Sequence, residues 1–183
     1  MIMTTLKKIV ANIGLSLLAV LCITTLGLAQ ERGSEEPRTS PNATVSQTIG
    51  TTDVTITYGR PAVNDREVFG ELVPYGEVWR TGANESTALV VSDDVMIEGN
   101  KLEAGTYSLY TIPNKDSWTI ILNSKLSWGT EYDSGQDVLR FKVESQEADY
   151  MERMLFYFKD VSNDSATVVL HWDNTKVPFT ISV

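Results

Sequence analysis

A two-residue rhythm of apolar and polar side chains runs through most of this 183-residue chain, and no other feature limits its fold as strongly. Successive side chains of a β-strand point to opposite faces, so such alternation marks half-buried strands. It is clearest where Val54, Ile56 and Tyr58 interleave with Thr55 and Thr57. Comparable or weaker runs cover residues 44–49, 87–92, 95–98, 106–112, 118–123, 138–144, 154–159, 166–172 and 177–183. Turn-forming residues separate them. Gly99-Asn100 predicts a tight hairpin, and 113–116, 162–164 and Asp173-Asn174 predict further turns. Past residue 30, apolar side chains nowhere recur at i, i+3, i+4 and i+7 over three turns, and the best helical candidate, 145–153, is short and mostly polar. The expectation is an all-β chain: an antiparallel, jelly-roll-like β-sandwich of about eight to ten strands. An α/β fold would lack its crossover helices.

The N-terminus follows another logic. Lys7 and Lys8 precede an uncharged apolar run over 9–28, and small residues at Gly27 and Ala29 give the spacing a signal peptidase accepts. The segment 1–29 is therefore expected to be a signal peptide, 30–42 a charged, flexible linker and 43–183 a single β-sandwich domain. An uncleaved anchor is the competing reading, since about 20 apolar residues can span a bilayer; the polar stretch that follows favours cleavage. Cys22, the single cysteine, lies inside this segment behind Leu21 rather than a small residue, which disfavours lipidation. A chain cut after Ala29 has no cysteine, so its stability must come from a packed core. The expected location is the periplasm or the extracellular space. Removing Lys7 and Lys8 leaves 13 basic against 24 acidic side chains, a formal charge of −11. Such a surface repels phosphate backbones and anionic lipid heads, so neither nucleic acid nor, after cleavage, a membrane is an expected partner.

Two stretches break the rhythm, 59–85 and 124–136, and long irregular segments in compact domains are often functional. The first reads GRPAVNDREVFGELVPYGEVWRTGANE, and its cations are all arginines. A guanidinium offers a rigid fork of donors for carboxylate or phosphate oxygens and stacks on aromatic rings. Arg60, Arg66, Tyr75, Trp79, Arg80 and Asn84 are accordingly the candidate ligand-binding residues, for a small anionic or sugar-like ligand. The competing reading is scaffolding, in which these arginines pair with Asp65, Glu67, Glu71, Glu77 and Glu85 and pin the loop down.

The stretches SPNATVSQTIGTTDVTITYGRP, FGELVPYGEVWRTGANE, EAGTYSLYTIP, DVLRF and HWDNTKVPFTI resemble the family catalogued as domain of unknown function DUF2911, over 40–183. The most specific element is VPYGEVWRTGAN at 73–84. The resemblance implies an exported bacterial protein and no assigned activity. It also implies that Arg60, Pro61, Arg66, Gly70, Pro74, Tyr75, Trp79, Arg80, Thr81, Gly82 and Asn84 match the family's motif, without saying what they do.

Other constellations are weaker. His171 is the single histidine and sits in the apolar run VVLHW; with no G-x-S-x-G elbow and no cysteine nucleophile, a catalytic triad is nearly ruled out and no catalytic residue is assigned. One histidine cannot supply a zinc or copper site. Glu131, Asp133 and Asp137 space oxygen ligands around a glycine, a weak calcium candidate whose alternative is an ordinary solvated loop. No other cofactor is implied. Trp118 and Trp172 are expected in the core, Trp128 and Tyr132 at the surface. The leading expectation is a non-enzymatic ligand-binding or structural module. Its alternatives are a carbohydrate-active hydrolase using Glu77 or Glu85, which would need a second carboxylate about 5–10 Å away, and a calcium-dependent adhesion module.

Overall fold

The computed structural model describes residues 32–33, 36–128 and 131–183. The expected signal peptide and Cys22 lie outside the described residues. Among the described residues ten strands follow one another: β1 (Asn42–Ile49), β2 (Thr52–Gly59), β3 (Thr87–Val91), β4 (Val95–Ile97), β5 (Asn100–Leu102), β6 (Gly105–Ile112), β7 (Ser117–Asn123), β8 (Asp137–Glu144), β9 (Gln146–Lys159) and β10 (Ser165–Ser182). They form two antiparallel sheets, one of six strands in the order β1-β2-β3-β6-β7-β8 and one of four in the order β5-β4-β10-β9. The large sheet is a sequential meander, interrupted once where the β4-β5 hairpin crosses to the small sheet. No described helix is long and apolar enough to cross a membrane.

The alternation read from the sequence builds the core. Val54, Ile56 and Tyr58 of β2 are buried with Leu89, Leu109, Ile120 and Leu122 of the large sheet, and Phe156, Val168, Leu170 and Phe179 of the small sheet join the same cluster. Fully burying one such aliphatic or aromatic side chain is worth about 1.5–3 kcal/mol. Trp118 and Trp172 are each 1% exposed, as expected, and Trp128 is 57% exposed. Tyr132 is only half-buried, its ring edge-on to Tyr110 at 5.0 Å.

Local details depart from the sequence reading. The best helical candidate, 145–153, is strand from Gln146 onward: Gln146, Glu147 and Met151 of β9 pair with Lys176, Thr175 and Asp173 of β10. Their polarity reflects an edge strand exposed for much of this half, so no apolar face was available to set a period. Asp173 (φ 53°) does not end a strand; it forms a bulge within the 18-residue β10, between the His171 and Thr175 registers. The β4-β5 turn falls on Glu98-Gly99 (φ 47° and 75°) rather than Gly99-Asn100, because pairing Ile97 with Asn100 buries both Val95 and Leu102. A slip of one residue would turn one of them outward.

Residues 60–86 run across one end of the sandwich and join both sheets. Pro61 and Val63 bond β9, through Met154 N–H to Pro61 C=O at 3.0 Å and Val63 N–H to Glu152 C=O at 2.8 Å. Further on, Trp79 and Thr111 of β6 exchange backbone bonds of 2.7 and 2.9 Å. In the other long segment, residues 124–128 lie over the outer face of the large sheet, where Tyr110 Oη and Ser127 Oγ are 2.7 Å apart and Ser108 Oγ donates to Lys125 C=O at 2.8 Å.

Candidate functional site

Where residues 60–86 cross that end, they leave a hollow of about 310 Å³. Three distant stretches build it. The arginine segment supplies Arg66, Trp79, Arg80 and Asn84, β10 supplies Trp172 just before its bulge, and Ser40 comes from the bend preceding β1. The remaining lining side chains, Pro61, Leu72, Val73 and Ala83, are apolar. The indoles of Trp79 and Trp172 stack with centroids 5.8 Å apart and planes 20° apart, while Phe69 packs edge-on to Trp118 at 4.9 Å and to Trp172 at 5.9 Å.

Of the six sequence-predicted ligand residues, four line this hollow and two do not. Arg60 is spent on scaffolding, its Nε donating to Met154 C=O at 2.8 Å. Tyr75 is 38% exposed and lies against Gly70, where an added Cβ would sit 3.1 Å from its ring. Arg66, at the rim, donates Nε to Val63 C=O at 2.9 Å and Nη2 to Ala62 C=O at 2.7 Å. Asn84 donates to Ser40 C=O at 3.2 Å and so fastens the chain before β1 to the wall. Among the described residues, the ion pairs of the structure involve none of Arg60, Arg66 and Arg80. The expected pairing with Asp65, Glu67 or their neighbours is not what holds the segment.

Arg80 differs from the other two arginines. Its Nε is buried without a hydrogen-bond partner, and Nε1 of Trp172 is in the same condition. Buried donors of this kind are rare, because each forgoes its bond to water without replacement. The backbone around Arg80 is clamped. Thr87 N–H donates to Arg80 C=O at 3.1 Å, and Thr87 Oγ1 donates to Thr81 C=O at 2.6 Å. Thr81 itself is fully buried at φ 56°, a costly conformation for a β-branched residue that persists only when its surroundings enforce it. Here its hydroxyl is tied to Trp79 C=O at 3.2 Å and Thr111 Oγ1 at 3.1 Å.

Sequence reasoning missed two contributors. Trp172 reads as a core residue and is one, but it also lines the hollow. Arg38, inside the expected linker, forms a bidentate pair with Glu85 on the outer face, Nη1–Oε2 2.7 Å and Nη2–Oε1 2.9 Å. Glu85 is 4% exposed. Burial pushes its carboxyl up, but the hydrogen bonds from Arg38 and from its own backbone, with the charges of Arg38 and Arg32, together hold it below the ordinary 4.5. Glu85 is therefore held ionised and is a poor proton donor, while Glu77 is exposed on the loop and lines no part of the hollow. A depressed carboxyl contributes stability that is complete above its unfolded value and is lost as pH falls through the folded one. Glu85→Gln is expected to flatten the acid limb of a thermal-melt pH titration below about pH 4.5. Acid limbs of equal slope in both proteins would show that the pair does not govern this transition.

The calcium candidate disperses. Asp133 Oδ1 caps the short 3-10 helix Ser134–Gln136 by accepting from Gly135 N–H at 2.9 Å. Asp137 accepts from Asn123 Nδ2 at 2.8 Å, Tyr132 Oη at 2.7 Å and Arg140 Nε at 2.6 Å, and Glu131 is exposed. Among the described residues no three His, Cys, Asp or Glu side chains gather as a metal site. His171 is packed, 5% exposed, with Nε2 2.9 Å from Asp149 C=O. A wider depression of about 530 Å³ beside Lys115, Asp116 and Glu144 is polar, and Ser145 there already bonds the backbone of Lys115 and Asp116.

The fold and this hollow define an antiparallel β-sandwich whose single long crossing loop walls a small, cationic, aromatic-floored depression. The chain belongs to the family described as protein of unknown function (DUF2911), whose profile matches residues 40–181. No curated protein and no solved structure matches it.

Proposed function

We propose that this protein is an exported, non-enzymatic module that binds a small anionic or sugar-like ligand in the hollow between Arg66, Arg80, Trp79 and Trp172. One observation carries the reading: two buried donors without acceptors, Arg80 Nε and Trp172 Nε1, belong to residues lining the same hollow. A ligand acceptor there would replace the hydrogen bonds both groups forgo on folding. The clamped backbone at Thr81 holds Arg80 in place beforehand, which lowers the entropic cost of binding. Export rests on the basic, then apolar, then small-residue order of the first 29 residues. The surplus of acid elsewhere on the chain makes nucleic acid and anionic membranes poor partners.

Thermal denaturation against a panel of small carboxylates, phosphate esters and sugars tests the reading. A ligand at 100 times its dissociation constant stabilises the folded state by about 2.7 kcal/mol. In a domain of this size that corresponds to a rise of several degrees, on the order of 5 °C. Arg80→Ala is expected to abolish the shift. If no ligand class raises the melting temperature, or if Arg80→Ala keeps the full shift, the hollow is not a binding site.

A further inference from the structure

The side chains that line the hollow are one-sided in charge and carry few hydrogen-bond acceptors. A guanidinium and an indole N–H only donate. The two groups left without partners are of these kinds, and no carboxylate lines the hollow among the described residues. Side-chain acceptors are confined to Ser40 and Asn84, and Asn84 already gives its amide N–H to the Ser40 carbonyl. Pro61, Leu72, Val73, Trp79 and Ala83 add apolar side chains to the lining.

We propose that the hollow receives a small carboxylate with an apolar body, its oxygens accepting from Arg80 Nε and Trp172 Nε1. This rests on the binding role proposed above and gives it a chemical class. A sugar is disfavoured because every hydroxyl also brings a proton in need of an acceptor, and the lining side chains offer acceptors only at Ser40 and Asn84. A phosphate carries three strongly accepting oxygens and a charge of about −1.5 to −2. The apolar side of the hollow would strip water from such oxygens without replacing it. A carboxylate places both oxygens at one end and leaves the remainder for the Trp79 and Leu72 side. At about 310 Å³ the hollow lies near the lower end of the range for small-molecule sites, roughly 300–1,000 Å³, which limits the body to a short chain or a single ring.

Titration of the full chain, followed by tryptophan fluorescence and calorimetry, decides the matter. The probes are phenylacetate and hexanoate, their neutral counterparts phenylacetamide and hexanol, inorganic phosphate and methyl glucoside. Saturable binding of the two carboxylates is expected, with the neutral counterparts at least about tenfold weaker because they lose a charge-assisted bond. Trp172→Phe keeps a ring but removes the N–H, and is expected to weaken the carboxylates about tenfold. Arg80→Gln should do so by more; the melting temperature of each variant checks its folding. Phosphate or methyl glucoside saturating while both carboxylates fail would overturn the carboxylate assignment and leave the binding site standing. Neutral counterparts that bind as tightly as the acids, or a folded Trp172→Phe with undiminished affinity, would overturn it too. Saturation by none of the probes, together with an unshifted melting temperature across the broader panel, removes both proposals.

Discussion

Gly59→Ala is expected to destabilise the protein by roughly 3 kcal/mol, at the upper end of what overpacking costs in a tight site. Gly59 closes β2 and is buried beneath the returning arm of the arginine segment. A Cβ added there would stand 2.0 Å from the Ala83 carbonyl oxygen and 2.8 Å from its carbon. Both are backbone atoms, so no side chain can swing aside; the arm itself must lift. Lifting it breaks the 3.2 Å bond from Ala83 N–H to Gly59 C=O and displaces Gly82, whose own Cβ position is 2.9 Å from the Gly59 oxygen. Residues 80–84 form one wall of the hollow, so the same substitution should impair any ligand response as well as stability. Gly33→Ala, where an added Cβ meets nothing within 4 Å, is the control and should melt like the parent. Chemical denaturation of the three proteins reads the effect; a Gly59→Ala protein within about 0.5 kcal/mol of the parent, the ordinary scatter of surface substitutions, would mean that the two segments are not held together as described.

How far such features were legible depends on whether their cause is local. The strands were legible because Val54, Ile56 and Tyr58, like Leu109 and Ile120, each occupy an inward place fixed by the period of two. The first half of β9 was not, since Glu147, Asp149, Tyr150 and Glu152 are exposed and carry no pattern to read. Asp173 shows a subtler limit. Its chemistry suits a positive φ, and both a turn and a bulge use that conformation, so only the pairing of β9 with β10 on either side decides between them.

The site divides in the same way. That arginines and aromatic rings gather in 59–85 is a property of the sequence, whereas their sorting into roles is tertiary. Arg60 meets Met154 across 94 residues, Arg38 meets Glu85 across 47, and Trp172 reaches the hollow from the last strand. No spacing rule could have paired them. A guanidinium will satisfy itself on whichever carbonyl or carboxylate the fold presents, and Arg80 is informative because the fold presents neither to its Nε.

Trp118→Ala should have the larger effect of the two core-level changes, a loss of about 4 kcal/mol, within the range for removing a large buried aromatic. Trp118 is 1% exposed on β7 and holds the aromatic cluster from below, edge-on to Phe69 at 4.9 Å and to Trp79 at 6.2 Å. Phe69 and Trp79 are the points at which the crossing loop is keyed into the sandwich, so the vacancy would loosen the loop as well as the sheet. Domain stabilities of about 5–15 kcal/mol leave little margin for such a loss. Trp118→Phe, which keeps a ring against Phe69, should recover most of it. Equilibrium unfolding monitored by circular dichroism separates the cases. An Ala variant destabilised no more than the Phe variant would show that a ring against Phe69 contributes nothing to stability. In that event Trp79 would be positioned by its backbone bonds to Thr111 alone, and ligand affinity should survive the substitution. If instead the cluster fixes the indole, affinity and stability should fall together, because the floor of the hollow and the core of the sandwich are built from the same rings.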